Sequence, residues 1–301
     1  MRIGHAVNRY LEAQKALERS DGTIREYMKR LGYFRDHAYS QDVLDIAAVD
    51  VDLVRGYHNR LNVRKLAAAT RRGFLNTIKD FLSWAHERNL MLSDISGRIE
   101  LPKIPNTLPP TPLDHDDMLR LLALPDADTP TGKRNRAILE VLYGLGLRRA
   151  ELLAMNFGDI SFEAGTIIVP HGKGDKDRLL PANDLALQSL TDYLTSRRRK
   201  LRDTDPVFVT RIGTQNEKRM NENDLSAFFR WLNKRFHKHL HPHLLRHTFA
   251  CHLLQGGADL RYVQALMGHA DPQTTAGYLG LVKEDLKKAY DQAVERILEA
   301  G

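Results

Sequence analysis

At 301 residues the chain exceeds the usual size of one domain and is long enough for two separate cores. Its 45 Lys and Arg against 38 Asp and Glu give a net charge of +7, which favours a polyanionic partner, either nucleic acid or an anionic membrane surface. No apolar run approaches the roughly 18 residues of a membrane span, the start Met1-Arg2-Ile3-Gly4-His5 lacks the apolar core of a signal peptide, and Cys251 is the sole cysteine, so a soluble cytoplasmic protein without an internal disulfide is expected.

In chain order, helices are predicted over Ala6 to Arg19, over Thr23 to Leu31 with Thr23 and Glu26 spaced as a capping box, and over Asp52 to Leu61. From Leu66 to Glu87, Phe74, Leu75, Ile78, Phe81, Leu82 and Ala85 recur at helical spacing. Arg64, Lys65, Arg71, Arg72 and Lys79 lie largely on other faces, a solvated flank or a contact surface for a DNA backbone. Pro102, Pro105, Pro109, Pro110 and Pro112 then remove donors and disfavour helix, so residues 101–112 read as an extended linker between domain 1–100 and domain 113–301.

Beyond the linker, helices are expected over Asp116 to Ala123, Arg134 to Tyr143 and Arg149 to Met155, with Gly144-Leu145-Gly146 breaking the second and leaving Arg148 at a helix junction. A three-stranded meander follows, over Ile160 to Phe162, Thr166 to Val169 and Arg178 to Leu180, and it is the only convincing β region. Further helices are predicted over Leu185 to Arg199, Glu222 to Phe236, Pro242 to Gln255, Asp259 to Met267 and Glu284 to Leu298. Pro242 suits a first helical position and Gly256-Gly257 an end, so His243 and Arg246 stand one turn apart on one face. Asp259 is an N-cap and Gly268 a C-terminus, which puts His269 just past a helix end; Cys251, in an apolar run, is expected to be a buried, inert thiol.

Taken singly, Arg148, Lys173, His269 and Tyr278 are ordinary surface, loop or core residues; their order and contexts carry more. Gly146-Leu147-Arg148-Arg149-Ala150-Glu151-Leu152, Gly172-Lys173-Gly174-Asp175-Lys176-Asp177-Arg178, Pro242-His243-Leu244-Leu245-Arg246-His247, Leu266-Met267-Gly268-His269 and Thr274-Thr275-Ala276-Gly277-Tyr278 follow one another along the chain. Together they resemble the motifs of the tyrosine recombinases, also called phage integrases, and most closely their Xer-type branch. Tyr278 is followed by Leu279-Gly280, where Xer-type members commonly carry Thr-His.

The resemblance implies a mainly α fold with a small antiparallel β-sheet: a helical core DNA-binding domain, and a mixed α/β catalytic domain ending in an oligomerisation helix. It implies Arg148, Lys173, His243, Arg246, His269 and Tyr278 as catalytic residues, with no metal and no cofactor. It also implies double-stranded DNA with inverted-repeat core sites as partner, a homo-tetramer or a hetero-tetramer with a second recombinase on DNA, an activating protein, and a nucleoid-associated location.

The chemistry suits these residue types in its own right. Attack on a phosphodiester builds charge on the non-bridging oxygens, which always-protonated, bidentate guanidinium groups (Arg148, Arg246) and a donor such as His269 can bind. A tyrosine with a reference pKa of about 10 needs a base or a positive field to become a nucleophile, and His243 is the helper. Lys173 supplies the proton to the departing 5′-oxygen. A metal-dependent nuclease would use the cluster His237, His239, His241, His243, His247 and His252, which has no Cys or carboxylate pair to complete it. A topoisomerase of the same chemistry and a DNA-binding protein without recombination are the other readings.

Overall fold

The computed structural model describes residues 1–104, 111–170, 177–268, 291–292 and 294–296, and the chain divides into two units, Met1–Leu108 and Pro109–Gly301. Unit one is built from α1 (Ile3–Ala16), α2 (Asp21–Tyr39), α3 (Val51–Val63) and α4 (Ala68–Glu87). Leu75, Ile78, Phe81, Leu82 and Ala85 of α4 are fully buried, as their spacing predicts. Each large side chain removed from water in this way contributes about 1.5–3 kcal/mol. Tyr10 of α1 packs edge-on against Phe81 and Trp84, with ring centroids 5.6 and 5.5 Å away.

The start of α2 differs from the sequence expectation. Ser20, rather than Thr23, is the cap, its hydroxyl accepting from the Thr23 amide at 3.3 Å. The helix also continues past Leu31 to Tyr39, because Leu31, Phe34 and Ala38 keep an apolar stripe in the core that outweighs the cost of Gly32.

Unit two comprises α5 (His115–Ala123), α6 (Pro130–Gly144), α7 (Arg149–Ala154), β1 (Ile160–Ser161), β2 (Thr166–Val169), β3 (Arg178–Pro181), α8 (Asp184–Ser196), β4 (Val209–Thr210), β5 (Lys218–Arg219), α9 (Glu222–Asn233), α10 (Pro242–Gln255) and α11 (Leu260–Met267). Its centre is α6, whose Ala137, Ile138, Leu139, Val141 and Leu142 are all fully buried. Thr129 caps this helix and Pro130 opens it, so it begins earlier than Arg134. The expected meander is present in the order β1-β2-β3, antiparallel throughout, with Ile167 opposite Ile160 and Leu180.

The β4–β5 pair was not anticipated, since two-residue strands are too short to show an alternating pattern. It is anchored by Arg197, fully buried, which bonds Glu217 at 2.6 Å and the Pro206 carbonyl at 2.6 Å. No helix among the described residues is long and apolar enough to cross a membrane.

Candidate active site

Arg148 is the N-cap residue of α7, held there by the turn before it. Gly146 has φ +58°, and a Cβ on it would stand 2.4 Å from the Phe249 ring of α10, so the turn needs glycine for both its conformation and its packing. The Arg148 amide donates to Glu151 Oε2 at 2.6 Å, while its guanidinium donates to Glu151 Oε1 and to the Gly268 carbonyl, both at 2.8 Å. Gly268 closes α11 in the left-handed region at φ +59°, which turns its carbonyl outside the helix ladder.

Arg246 stands on α10, 3% exposed, and its guanidinium donates to the carbonyls of Gly146 and Met267. Burial first, and then the nearby charge of Arg148, bring its pKa down to about 10, which still leaves the group protonated at neutral pH. The same carbonyl-lined junction of the α6–α7 turn and the α11 end thus orients both arginines. His243, one turn before Arg246, is exposed.

Arg178 and Glu151 complete the cluster, and neither was singled out from the sequence as a site residue. Arg178, the first residue of β3, forks onto Glu151 with bonds of 2.8 and 2.9 Å. Burial opposes ionisation of Glu151, but the Arg178 fork, the Arg148 amide and the Arg148 guanidinium outweigh it and hold its pKa down to about 2. Both residues lie within the stretches that carry the family resemblance, Glu151 three residues after Arg148 at a helix start and Arg178 at the end of the Lys173 stretch, but nothing local pairs them across 27 residues.

Most of the histidine cluster has structural work. His241 caps α10, its Nδ1 accepting from the Leu244 amide at 3.1 Å, and burial followed by the charges of His239 and His243 lowers its pKa. His237 faces Asp117 at 3.2 Å, and His247 lies 3.6 Å from the Cys251 sulfur. Cys251 is half-buried rather than buried, and desolvation raises its pKa. His252 bonds Tyr143 and the Leu113 carbonyl, each at 2.8 Å. No group of three His, Cys, Asp or Glu among the described residues is arranged to hold a metal ion.

In unit one, Arg64 lies over the Tyr33 ring at 5.9 Å and Lys65 is exposed at φ +55° in the α3–α4 turn. Arg71 and Arg72 follow in the first turns of α4, where Arg72 donates to the Pro102 carbonyl at 3.3 Å. Lys79 stands apart, about two turns on, near Asp80 and Asp94. Lys173, His269 and Tyr278 lie outside the described residues, as do Leu286, Tyr290, Ala293 and Ile297, whose spacings of four, three and four form an apolar stripe along the helix predicted over Glu284 to Leu298.

Comparison with known proteins bears directly on this arrangement. The phage integrase family profile matches residues 112–284, and the phage integrase N-terminal SAM-like domain profile matches residues 7–89. Tyrosine recombinase XerC of Escherichia coli O127:H6 is 34% identical over 289 residues, covering 96% of this chain and 94% of that protein. XerC of Escherichia fergusonii shows the same identity and coverage.

Among solved structures, the Tn1549 transposon integrase in complex with circular intermediate DNA is similar in fold, with a TM-score of 0.67 at 19% identity over 96% of this chain and 98% of that one. A lambda integrase dimer bound to a COC′ core site gives 0.68 at 16% identity, over 90% and 96%. With both units matched by family profiles and the XerC proteins aligned nearly end to end, the chain belongs to the phage integrase family and is a tyrosine recombinase, an enzyme that cuts and rejoins DNA strands.

Proposed function

We propose that this recombinase acts site-specifically on double-stranded DNA, breaking each strand through a 3′-phosphotyrosine on Tyr278 and passing through a Holliday junction. The observation that carries the reading is the pair Arg148 and Arg246 at one junction, Arg246 held by two backbone carbonyls and Arg148 by the Gly268 carbonyl together with Glu151, so that two guanidinium groups are oriented before any substrate arrives. Such preorganised donors bind the charge that builds on a phosphate under attack, and they need no reorganisation at that moment.

In this reading His269 adds a hydrogen bond to the phosphate, and His243, exposed beside Arg246, assists loss of the tyrosine proton. Lys173 donates a proton to the departing 5′-oxygen. The phosphotyrosine retains the energy of the broken phosphodiester, so religation needs neither ATP nor another cofactor. The partner DNA is a core site of inverted repeats, gripped by both units, with the flank of Arg64, Lys65, Arg71, Arg72 and Lys79 on the backbone. Exchange between two duplexes calls for a tetramer, of this chain alone or with a second recombinase, in the nucleoid of the cytoplasm, with an activating protein as a further partner. The domain division that serves this is a DNA-binding domain over 1–100, a linker over 101–112 and a catalytic domain over 113–301.

The test is a suicide substrate that traps the covalent complex. Tyr278→Phe is expected to bind the DNA and yield no adduct, while Lys173→Ala is slow on normal DNA and is rescued when sulfur replaces the 5′-bridging oxygen. An adduct formed by Tyr278→Phe would move the nucleophile to another tyrosine. Equal defects of Lys173→Ala on both substrates would make the lysine a phosphate ligand instead.

A further inference from the structure

The two arginines of the proposed phosphate clamp are not equally free to serve it. Among the described residues, Arg246 is held by neutral carbonyls and donates to no carboxylate, so its charge is left for a ligand. Arg148 is oriented by a carboxylate, Glu151, which contacts both its amide and its guanidinium. Such a contact fixes the side chain but carries a difficulty, because an ion pair cancels much of the charge the phosphate should feel and puts an anion next to another anion.

Arg178 answers that difficulty. Its two terminal nitrogens grip both oxygens of Glu151, at 2.8 and 2.9 Å, the fork geometry that a carboxylate binds best. Arg178 is 14% exposed in its side chain and Glu151 is 11% exposed, so little water screens this pair. Its approach is protected by Gly268, where a Cβ would stand 2.8 Å from the Arg178 guanidinium nitrogen. Arg148, Arg178 and Arg246 against Glu151 leave the cluster with a surplus of positive charge that Arg148 and Glu151 alone would not provide.

We propose that Arg178 is a positioning residue for strand cleavage: it occupies the Glu151 carboxylate, so that Glu151 orients Arg148 without neutralising it at the scissile phosphate. This rests on the reading of Arg148 as a phosphate ligand. Arg178 acts through Glu151 and Arg148 rather than by touching the reacting atoms.

The test compares two suicide substrates, one with an ordinary scissile phosphate and one with a methylphosphonate there, which has no ionised non-bridging oxygen and so asks less of the cations. Arg178→Met is expected to bind the half-site as the unaltered protein does and to cleave the phosphate substrate on the order of 100-fold more slowly. On the methylphosphonate the two proteins should cleave within a few-fold of each other. The double variant Glu151→Gln with Arg178→Met removes the charge on both sides and should recover most of the lost rate.

A defect of Arg178→Met that is the same on both substrates, or a double variant as slow as the single one, would overturn the proposal and make Arg178 a structural residue of β3. Should Arg178→Met fail to fold, the double variant, with no unpaired buried carboxylate, carries the same comparison against Glu151→Gln alone. Arg148→Met is run beside them. If it cleaved the phosphate substrate at the normal rate, the clamp reading itself would fall, and a slow Arg148→Met with an Arg178→Met of normal rate would sink only the role given to Arg178.

Discussion

Leu113 and His252, 139 residues apart, are joined by a 2.8 Å hydrogen bond in which the His252 ring reaches the Leu113 carbonyl. A carbonyl only accepts, so His252 Nε2 carries the proton and Nδ1 accepts from the Tyr143 hydroxyl at 2.8 Å. That hydroxyl stays protonated, since burial and then the charge of Glu140 push its pKa up to about 12. One turn earlier on α10, Thr248 Oγ1 takes the Leu113 amide at 3.1 Å. Both backbone groups of Leu113, itself 1% exposed, are thereby tied to the helix that carries Arg246. Leaving them unmade inside the core costs about 1–3 kcal/mol each. Thr248→Val, which keeps the shape and loses the acceptor, is expected to lower stability by about that amount. A urea unfolding midpoint unchanged by the substitution would show that the Leu113 amide finds water instead.

Gly146 combines a positive φ with the contact to Phe249, so Gly146→Ala sets a strained backbone against a close-packed ring. The expected loss is roughly 2–5 kcal/mol from the two effects together. It should come with a fall in cleavage rate, because the Gly146 carbonyl is one of the two acceptors that hold Arg246. Thermal unfolding and the rate of adduct formation, measured on one preparation, check both.

Glu151 gives the molecule an acid-sensitive tie. Its folded pKa of about 2 lies below the ordinary 4.5, so its contribution to stability is fully present above pH 4.5 and is lost as pH falls from there towards 2. A depression of that size is worth about 3 kcal/mol. Glu151→Gln is therefore expected to be less stable than the unaltered protein at neutral pH, with the gap narrowing through that window. Denaturant unfolding across pH 2 to 7 would reveal it, and a gap constant with pH would assign the loss to packing.

These contacts also mark what the sequence could and could not tell. Signals that live within a few residues were legible: Pro242 and Gly256 bound α10, Thr166 to Val169 is β2, and Arg148 stands at a helix junction. Partners brought together by the fold were not. Arg178 reaches Glu151 across 27 residues, and nothing in the local pattern of a strand start announces a fork onto a helix. The histidine cluster, which has no Cys or carboxylate pair to complete a metal site, is close in sequence without sharing a partner: His241 caps a helix and His252 ties down Leu113.

The basic flank of unit one offers a direct electrostatic measurement. If Arg71 and Arg72 both neutralise phosphates, replacing them with Ala should make the dependence of log K on log salt shallower by about 0.9 per contact. Arg72 already donates to the Pro102 carbonyl, and it would retain that contact alongside a phosphate because its fork has further donors. An unchanged slope would return both residues to the solvated face.

The last expectation concerns the C-terminal segment. The resemblance implies an oligomerisation helix here, with packing on its own catalytic unit as the alternative; of the described residues, Val294 packs against that core and Arg296 donates to the Gly256 carbonyl at 3.2 Å. Contact in cis and exchange in trans on DNA are separable by experiment. Truncation after Lys283 removes both. It is expected to leave a protein that folds and binds one half-site, with cooperative occupation of the paired sites lost. Arg296→Ala removes only the bond to Gly256 and should lower unfolding temperature slightly without weakening cooperativity. If instead the truncated protein paired sites and recombined normally, the segment would have no part in assembly, and a truncated protein that failed to fold would make it a component of the catalytic core.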